Sequence, residues 1–305
     1  MFEIKVPATS ANMGPGLDTL GVAFKLYNRF IVEEIETGLE IFGCDENFAN
    51  SDNLVYASML KTFKKLGKAP KGVRLTFKTQ IPVSGGLGSS ATCILAGITA
   101  ANRLCGDILT RQEVLNFACE IEGHPDNITP ALVGGMTVSI MNEGAAFYNK
   151  IPISAGVKFC AIIPELQLST GDSREVLPET ILFKDGVYNI GMVSMLIVAL
   201  VNGDYKGVKL ACNDKLHQPY RTGLIKNYSE ITNFVKDSEA LGVFLSGAGP
   251  TIMVILKKDD NNTEEKLKKF LESLSGNWKT LNLEIDEEGI QICEVQGNNG
   301  TYFCL

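Results

Sequence analysis

Apolar and polar residues alternate over Val73-Arg74-Leu75-Thr76-Phe77-Lys78-Thr79, the pattern of a half-buried strand. Residues 91–101 are almost all small or apolar and read as a buried helix. The same reading predicts a strand at 1–6, a long strand or hairpin at 22–36, a strand at 133–140 and a buried strand at 157–164. A helix starts at Asp52 and Asn53 and runs through Leu66, where Gly67 stops it. Thr110-Arg111-Gln112-Glu113 is a capping box for a helix reaching about Ile121. In the second half, helices are predicted at 189–202, 204–213 and 229–241, and strands at 243–245 and 251–256. Asn262 with Glu265 opens a helix over 263–274, and strands at 278–286 and 289–295 follow. Strands are not regularly separated by helices, so the plan is α+β rather than doubly wound. A turn-rich stretch at 149–152 divides the chain into units of 1–150 and 151–305.

Composition fits two such units. The chain has 305 residues, 45% apolar and 21% charged, ordinary proportions for a globular protein. A net charge of −7 argues against a broad basic surface for nucleic acid. No basic start and apolar core mark the N-terminus as a signal peptide. The longest apolar stretch, 191–201, is too short for a bilayer and reads as a core helix. No membrane partner is expected, and the compartment is expected to be cytoplasmic. Eight cysteines without C-x-x-C pairs and two histidines fit free thiols, such as Cys93, Cys119 and Cys160, and no zinc site.

The chemistry concentrates in loops. Pro82, Val83, Ser84, Gly85, Gly86, Leu87, Gly88, Ser89, Ser90, Ala91 and Thr92 join the 73–79 strand to the 91–101 helix. Glycine lets backbone approach a phosphate closely, and the free N–H groups of a helix start attract an anion. A plain flexible turn is the competing reading. The two serines weigh against it, because each can cap the helix or reach a phosphate or a magnesium ion. No G-K-[ST] follows, so this is not a Walker A loop. Thr9-Ser10-Ala11-Asn12-Met13-Gly14-Pro15-Gly16-Leu17-Asp18 is a turn that exposes Asn12 and Asp18 to a polar ligand. Glu120-Ile121-Glu122-Gly123-His124-Pro125-Asp126-Asn127 gathers carboxylates, an imidazole and an amide at a helix end. It is either a solvated terminus or a magnesium and hydroxyl site. Arg174 and Arg221 each follow a turn, and together they suit a carboxylate. Ser246-Gly247-Ala248-Gly249-Pro250 is a second glycine loop.

In this order, the segments resemble the GHMP kinase family of small-molecule kinases. Residues 82–91 match its signature P-x-x-x-G-L-G-S-S-A at each specified position, and the resemblance runs from residue 5 to about 256. The flanking motifs, Glu122-Gly123-His124-Pro125-Asp126-Asn127 and His217-Gln218-Pro219-Tyr220-Arg221 among them, are similar to those of its homoserine-phosphorylating branch. The resemblance implies a two-domain fold. Its N-terminal half is like domain 2 of ribosomal protein S5, and its C-terminal half is ferredoxin-like. ATP lies across residues 82–92, with Mg²⁺ on Ser90 and Glu122, Glu120 being the alternative. L-Homoserine is held by Asn12, Asp18, Asp126 and Asn127, with Arg174 and Arg221 on its carboxylate and Thr170 close by. Asp126, Asn127 and Ser90 serve catalysis, mainly by stabilising the transition state. A homodimer is expected. The competing readings are a mevalonate-type kinase and a non-catalytic metabolite sensor on the same scaffold.

Overall fold

The computed structural model describes residues 1–166, 168–296 and 301–304. Of these, it describes the side chains of all but Thr170, 295, 296 and 301–304. The first half opens with β1 (Phe2–Ala11), β2 (Leu20–Ile35) and β3 (Leu39–Phe42), then α1 (Leu54–Lys65) and β4 (Gly72–Lys78). The helices α2 (Ser89–Leu104), α3 (Arg111–Glu122) and α4 (Ile128–Val133) follow, and β5 (Met136–Asn142) and β6 (Ala145–Ile151) end it. The second half carries β7 (Val157–Pro164), α5 (Thr170–Glu175), α6 (Phe183–Asn202), α7 (Tyr205–Ala211), α8 (Gln218–Arg221) and α9 (Tyr228–Lys236). Then come β8 (Gly242–Leu245), β9 (Ile252–Lys257), α10 (Asn262–Ser273), β10 (Trp278–Leu283), β11 (Gln291–Gln296) and β12 (Thr301–Cys304).

Among the described residues there are two sheets. One has the order β12-β11-β1-β2-β4-β3, with β5 and β6 branching from β2. The other has four antiparallel strands in the order β10-β7-β9-β8. By position in the second half these strands are 4-1-3-2, with helices between the first and second and between the third and fourth. This is the βαββαβ plan expected of a ferredoxin-like half.

Helix α2 anchors the first half. Its small residues let α1 close on it: an added Cβ at Gly97 would stand 2.3 Å from the Val55 carbonyl oxygen. Ile94, Leu95 and Ile98 are buried with Val55, Met59 and Leu75 in one core, each such side chain contributing about 1.5–3 kcal/mol. Asn53 caps α1, accepting from the Val55 and Tyr56 N–H groups, and the Thr110–Glu113 capping box is present.

Four expectations are corrected. The predicted strand at 133–140 begins only at Met136, because 128–133 forms α4 and Gly134 ends it. The predicted strand at 278–286 is shared between sheets: Trp278–Leu283 pairs with β7, whereas Ile285 bridges to Phe24. The chain does leave the first sheet near residue 151, but a unit of 151–305 does not hold together, because β11 returns to pair antiparallel with β1. Without β11 that side of β1 would be an open edge with unpaired backbone groups. Finally, the predicted core helix at 189–202 is the 20-residue α6, of which Asn189, Leu196, Ala199 and Leu200 are the buried residues. By length and composition it could cross a membrane. Among the cysteines, Cys93, Cys119 and Cys160 are free thiols as expected, while Cys293 is disulfide-bonded.

Candidate active site

A cleft of about 460 Å³ lies where the loops of both halves meet. The glycine-rich loop forms its floor. Gly88 sits at the N-cap of α2 with φ +72°, and no side chain caps the helix. The first N–H groups of a 16-residue helix are thus left to whatever occupies the cleft. This corrects the reading of Ser89 as a cap: it is the first residue of the helix. Val83, Ser84, Gly85, Gly86, Gly88, Ser89 and Ser90 line the cleft, whereas Pro82, Leu87, Ala91 and Thr92 do not. Leu87 is buried in the core, and the Thr92 hydroxyl donates to the Ser89 carbonyl. The second glycine loop packs on the first. Ser246 Oγ donates to the Gly86 carbonyl at 2.6 Å and shares a 2.7 Å hydrogen bond with Ser10 Oγ.

Two oxygen groups meet at one side of this floor. Ser90 Oγ donates to Glu122 Oε2 at 2.8 Å. Burial raises the Glu122 pKa, an effect that His124 and the Ser90 hydrogen bond partly offset. A hydroxyl beside a carboxylate that burial leaves short of positive charge is a donor pair suited to a hard divalent cation. Glu120 is exposed and does not line the cleft.

Deeper in, Asp126 is buried and its Oδ1 lies 2.6 Å from His124 Nδ1. Burial alone would lower the His124 pKa. The Asp126 hydrogen bond and the charges of Asp126, Glu122 and Asp18 outweigh it, and the net shift is upward. Asn127 Oδ1 accepts from Thr9 Oγ1 at 2.7 Å, which fixes its amide nitrogen as the group left for a ligand. Asn12 spans two loops: its Nδ2 donates to the Gly247 carbonyl and its Oδ1 accepts from the Asp18 N–H. Asn12 and Asp18 both have left-handed backbone, φ +69° and +52°, a conformation that Asn and Asp adopt more readily than other non-glycine residues.

The two arginines converge as a pair. Arg174 forks onto Asp18, with Nη2 at 2.7 Å from Oδ1 and Nη1 at 3.3 Å from Oδ2. Arg221 is buried and donates to the Ser173 and Gly247 carbonyls and to His217 Nδ1. Its Nη2 makes none of these bonds and is left for the cleft. Burial and the neighbouring Arg174 lower its pKa, from a value so high that the guanidinium stays charged. Thr170 opens α5, and its side chain lies outside the described residues.

Sequence reasoning did not assign to the site the lining residues that stand on or beside regular elements, Asn28, Asn53, Phe77, Thr79 and Cys93. Asn28 Oδ1 accepts from the Gln80 and Ile81 N–H groups, and its Nδ2 donates to Thr92. It therefore ties the start of the glycine loop to the start of α2. A lone asparagine in a long apolar strand was the one available signal.

Comparison with known proteins agrees with this geometry. Residues 53–135 match the GHMP kinases N terminal domain, and residues 196–274 match GHMP kinases C terminal. The chain is 50% identical over 297 residues to a homoserine kinase of Clostridium botulinum, covering 97% of this chain and 100% of that one. A crystal structure of homoserine kinase from Cytophaga hutchinsonii superposes with a TM-score of 0.85 at 26% identity, over 95% of this chain and 96% of that one. A mevalonate kinase of L. major in complex with R-mevalonate shares the fold, with a TM-score of 0.71 at 16% identity over 93% of this chain and 96% of that one. Two domain matches, a full-length relative and a cleft built from the loops that carry the motifs agree that the chain belongs to the GHMP kinases.

Proposed function

We propose that the chain transfers the γ-phosphoryl group of ATP to the side-chain hydroxyl of L-homoserine, forming O-phospho-L-homoserine and ADP in the cytoplasm as a step toward threonine. The observation that carries this reading is the Asp18–Arg174 pair beside Arg221. An acid next to two guanidinium groups complements a zwitterion: Asp18 takes the ammonium group, and Arg174 with Arg221 takes the carboxylate. Mevalonate has the carboxylate but no ammonium group for Asp18 to take.

The remaining residues fit phosphoryl transfer, which needs positioning and charge neutralisation more than covalent help. The N–H groups of the glycine loop and α2 hold phosphate oxygens. Ser90 and Glu122 would hold Mg²⁺, which when bound supplies positive charge to the phosphates. Asp126, oriented by His124, and the Asn127 amide hold the acceptor hydroxyl in line. Phe48, Asn53 and Phe77, which also line the cleft, suit the nucleotide base.

The test is ADP release from MgATP with homoserine, mevalonate and galactose offered separately. Release with homoserine alone is expected. Release with mevalonate moves the chain to another branch of the family, and release with none supports the sensor reading.

A further inference from the structure

The second glycine loop, residues 246–250, joins β8 to β9 and takes no part in the chemistry proposed above. None of its residues is charged. Ser246 is fully buried and does not line the cleft. Buried polar groups need partners wherever they stand. What is informative here is where those partners are, because they belong to both substrate sites.

On one side stand the segments that carry the acceptor residues. The Gly247 carbonyl accepts from Asn12 Nδ2 at 2.8 Å and from Arg221 Nη1 at 3.2 Å. The Gly247 N–H donates to the Ala11 carbonyl at 3.1 Å. The Ala248 carbonyl accepts from Ser173 Oγ at 3.0 Å, next to Arg174 in α5. Asn12, Arg174 and Arg221 are far apart in the chain, and this one loop holds all three of their segments.

On the other side stands the phosphate loop. Ser246 Oγ lies 2.6 Å from the Gly86 carbonyl oxygen, which can only accept, so the serine's proton goes there. Ser10 Oγ, 2.7 Å from Ser246 Oγ, is then the donor of the bond between the two hydroxyls. A peptide unit is planar, so the bond to Ser246 fixes the Gly86–Leu87 plane in the middle of the phosphate loop. Two backbone bonds also reach this loop from acceptor-side segments, Thr9 N–H to the Leu87 carbonyl and Leu168 N–H to the Ser84 carbonyl. Ser246 differs in linking it through a side chain, which a substitution removes without altering the backbone.

We propose that Ser246 is a positioning residue that couples the two sites, so that homoserine and MgATP each bind more tightly once the other is in place. Homoserine on Asn12, Arg174 and Arg221 steadies the segments that hold Gly247 and Ala248. Through Ser246 the phosphate loop is steadied with them, and the nucleotide then bears less of the cost of ordering it. Linkage makes the effect reciprocal, so ATP tightens homoserine by the same factor. Phosphoryl transfer needs a hydroxyl held in line with a phosphorus, and such coupling favours the complex that holds both. The coupling rests on the kinase reading above, which supplies the two ligands.

Isothermal titration calorimetry of the full chain tests this with Mg²⁺ and AMP-PNP, an ATP analogue that is not hydrolysed. Its dissociation constant is expected to be at least about fivefold lower when homoserine is saturating. Homoserine should gain by the same factor when the analogue is saturating. Ser246→Ala should bring that factor below about twofold, whereas a loop that serves packing alone would weaken both ligands and leave their coupling as it was. Ser10→Ala removes a buried hydroxyl from the same place but keeps the Ser246–Gly86 bond, and should keep the factor. A second measurement needs no variant: homoserine alone should slow hydrogen exchange of the amides at 84–89 at least about threefold in the wild-type chain. Unchanged exchange there overturns the proposal, as does a Ser246→Ala chain that keeps the full factor or a Ser10→Ala chain that loses it equally. A wild-type chain that binds both ligands independently overturns the coupling alone. One that gives no heat with homoserine overturns the kinase reading and the coupling with it.

Discussion

Arg221 is only 2% exposed, and His217 decides how its guanidinium is held. His217 Nε2 lies 2.7 Å from the Gly14 carbonyl, which can only accept, so Nε2 carries the proton. Nδ1 is then bare and accepts from Arg221 Nη1 at 3.2 Å. Burial lowers the His217 pKa, outweighing the opposing pull of Asp214 and the Gly14 carbonyl. The unfolded chain takes up the proton near the ordinary histidine value of about 6.5, while the folded chain resists it. His217 therefore contributes its full stability above that value and loses it as pH falls below it. The melting-temperature difference between the wild-type chain and His217→Gln is expected to be level from about pH 8 to 7 and to shrink from about pH 6.5 to 5, His124 with its raised pKa acting in the opposite sense in both proteins. The KM for homoserine should rise over the same acid range. A difference that stays constant over this range would remove His217 from this role. The motif around Arg221 was legible in the sequence because arginine after a turn suggests a carboxylate. The role of His217 was not, since a ring's tautomer depends on a carbonyl 203 positions away.

The glycine-rich loop works as an element because a second loop rests on it. Gly86 has φ +78°, and a Cβ there would stand 2.6 Å from the Ser246 carbonyl oxygen and 2.7 Å from that of Gly249. Gly86→Ala must therefore push the loops apart as well as strain the backbone. We expect a loss of more than about 1 kcal/mol in stability and a rise of about tenfold in the KM for ATP, read by urea denaturation and initial rates. Unchanged values for both would mean that the loop contact carries no weight. Long elements with strong periodicity or caps, such as α1, α2 and α3, could be read from the residues. The short ones could not. Six-residue α5 is held in place by distant segments: Ser173 Oγ donates to the Ala248 carbonyl, and just before the helix the Leu168 N–H donates to the Ser84 carbonyl. Neither partner is close in sequence, so local pattern gave no sign of them.

At the scale of the whole molecule, the two sheets share chain. Strand β11 pairs with β1 through Phe2, Glu3, Ile4 and Lys5, while β10, just before it, belongs to the other sheet. A chain ending before residue 291 should keep the β7–β9 pairing and lose protection in β1. Hydrogen exchange of β1 amides is expected to quicken at least tenfold while β7 and β9 stay as they were; equal protection in β1 would show that β11 is dispensable. The apolar alternation of 289–295 identified a strand but not its sheet, because one buried face looks the same from either side of a domain boundary. Read in the direction of synthesis, the pairing has a consequence of its own. The ribosome releases β1 roughly 290 residues before β11, so the first sheet keeps an open side while all of the intervening chain is made. At about 5–20 residues per second, that edge waits on the order of 15 to 60 s before its partner emerges. During that interval the nascent chain depends on its own neighbours, or on a chaperone, to keep other strands away.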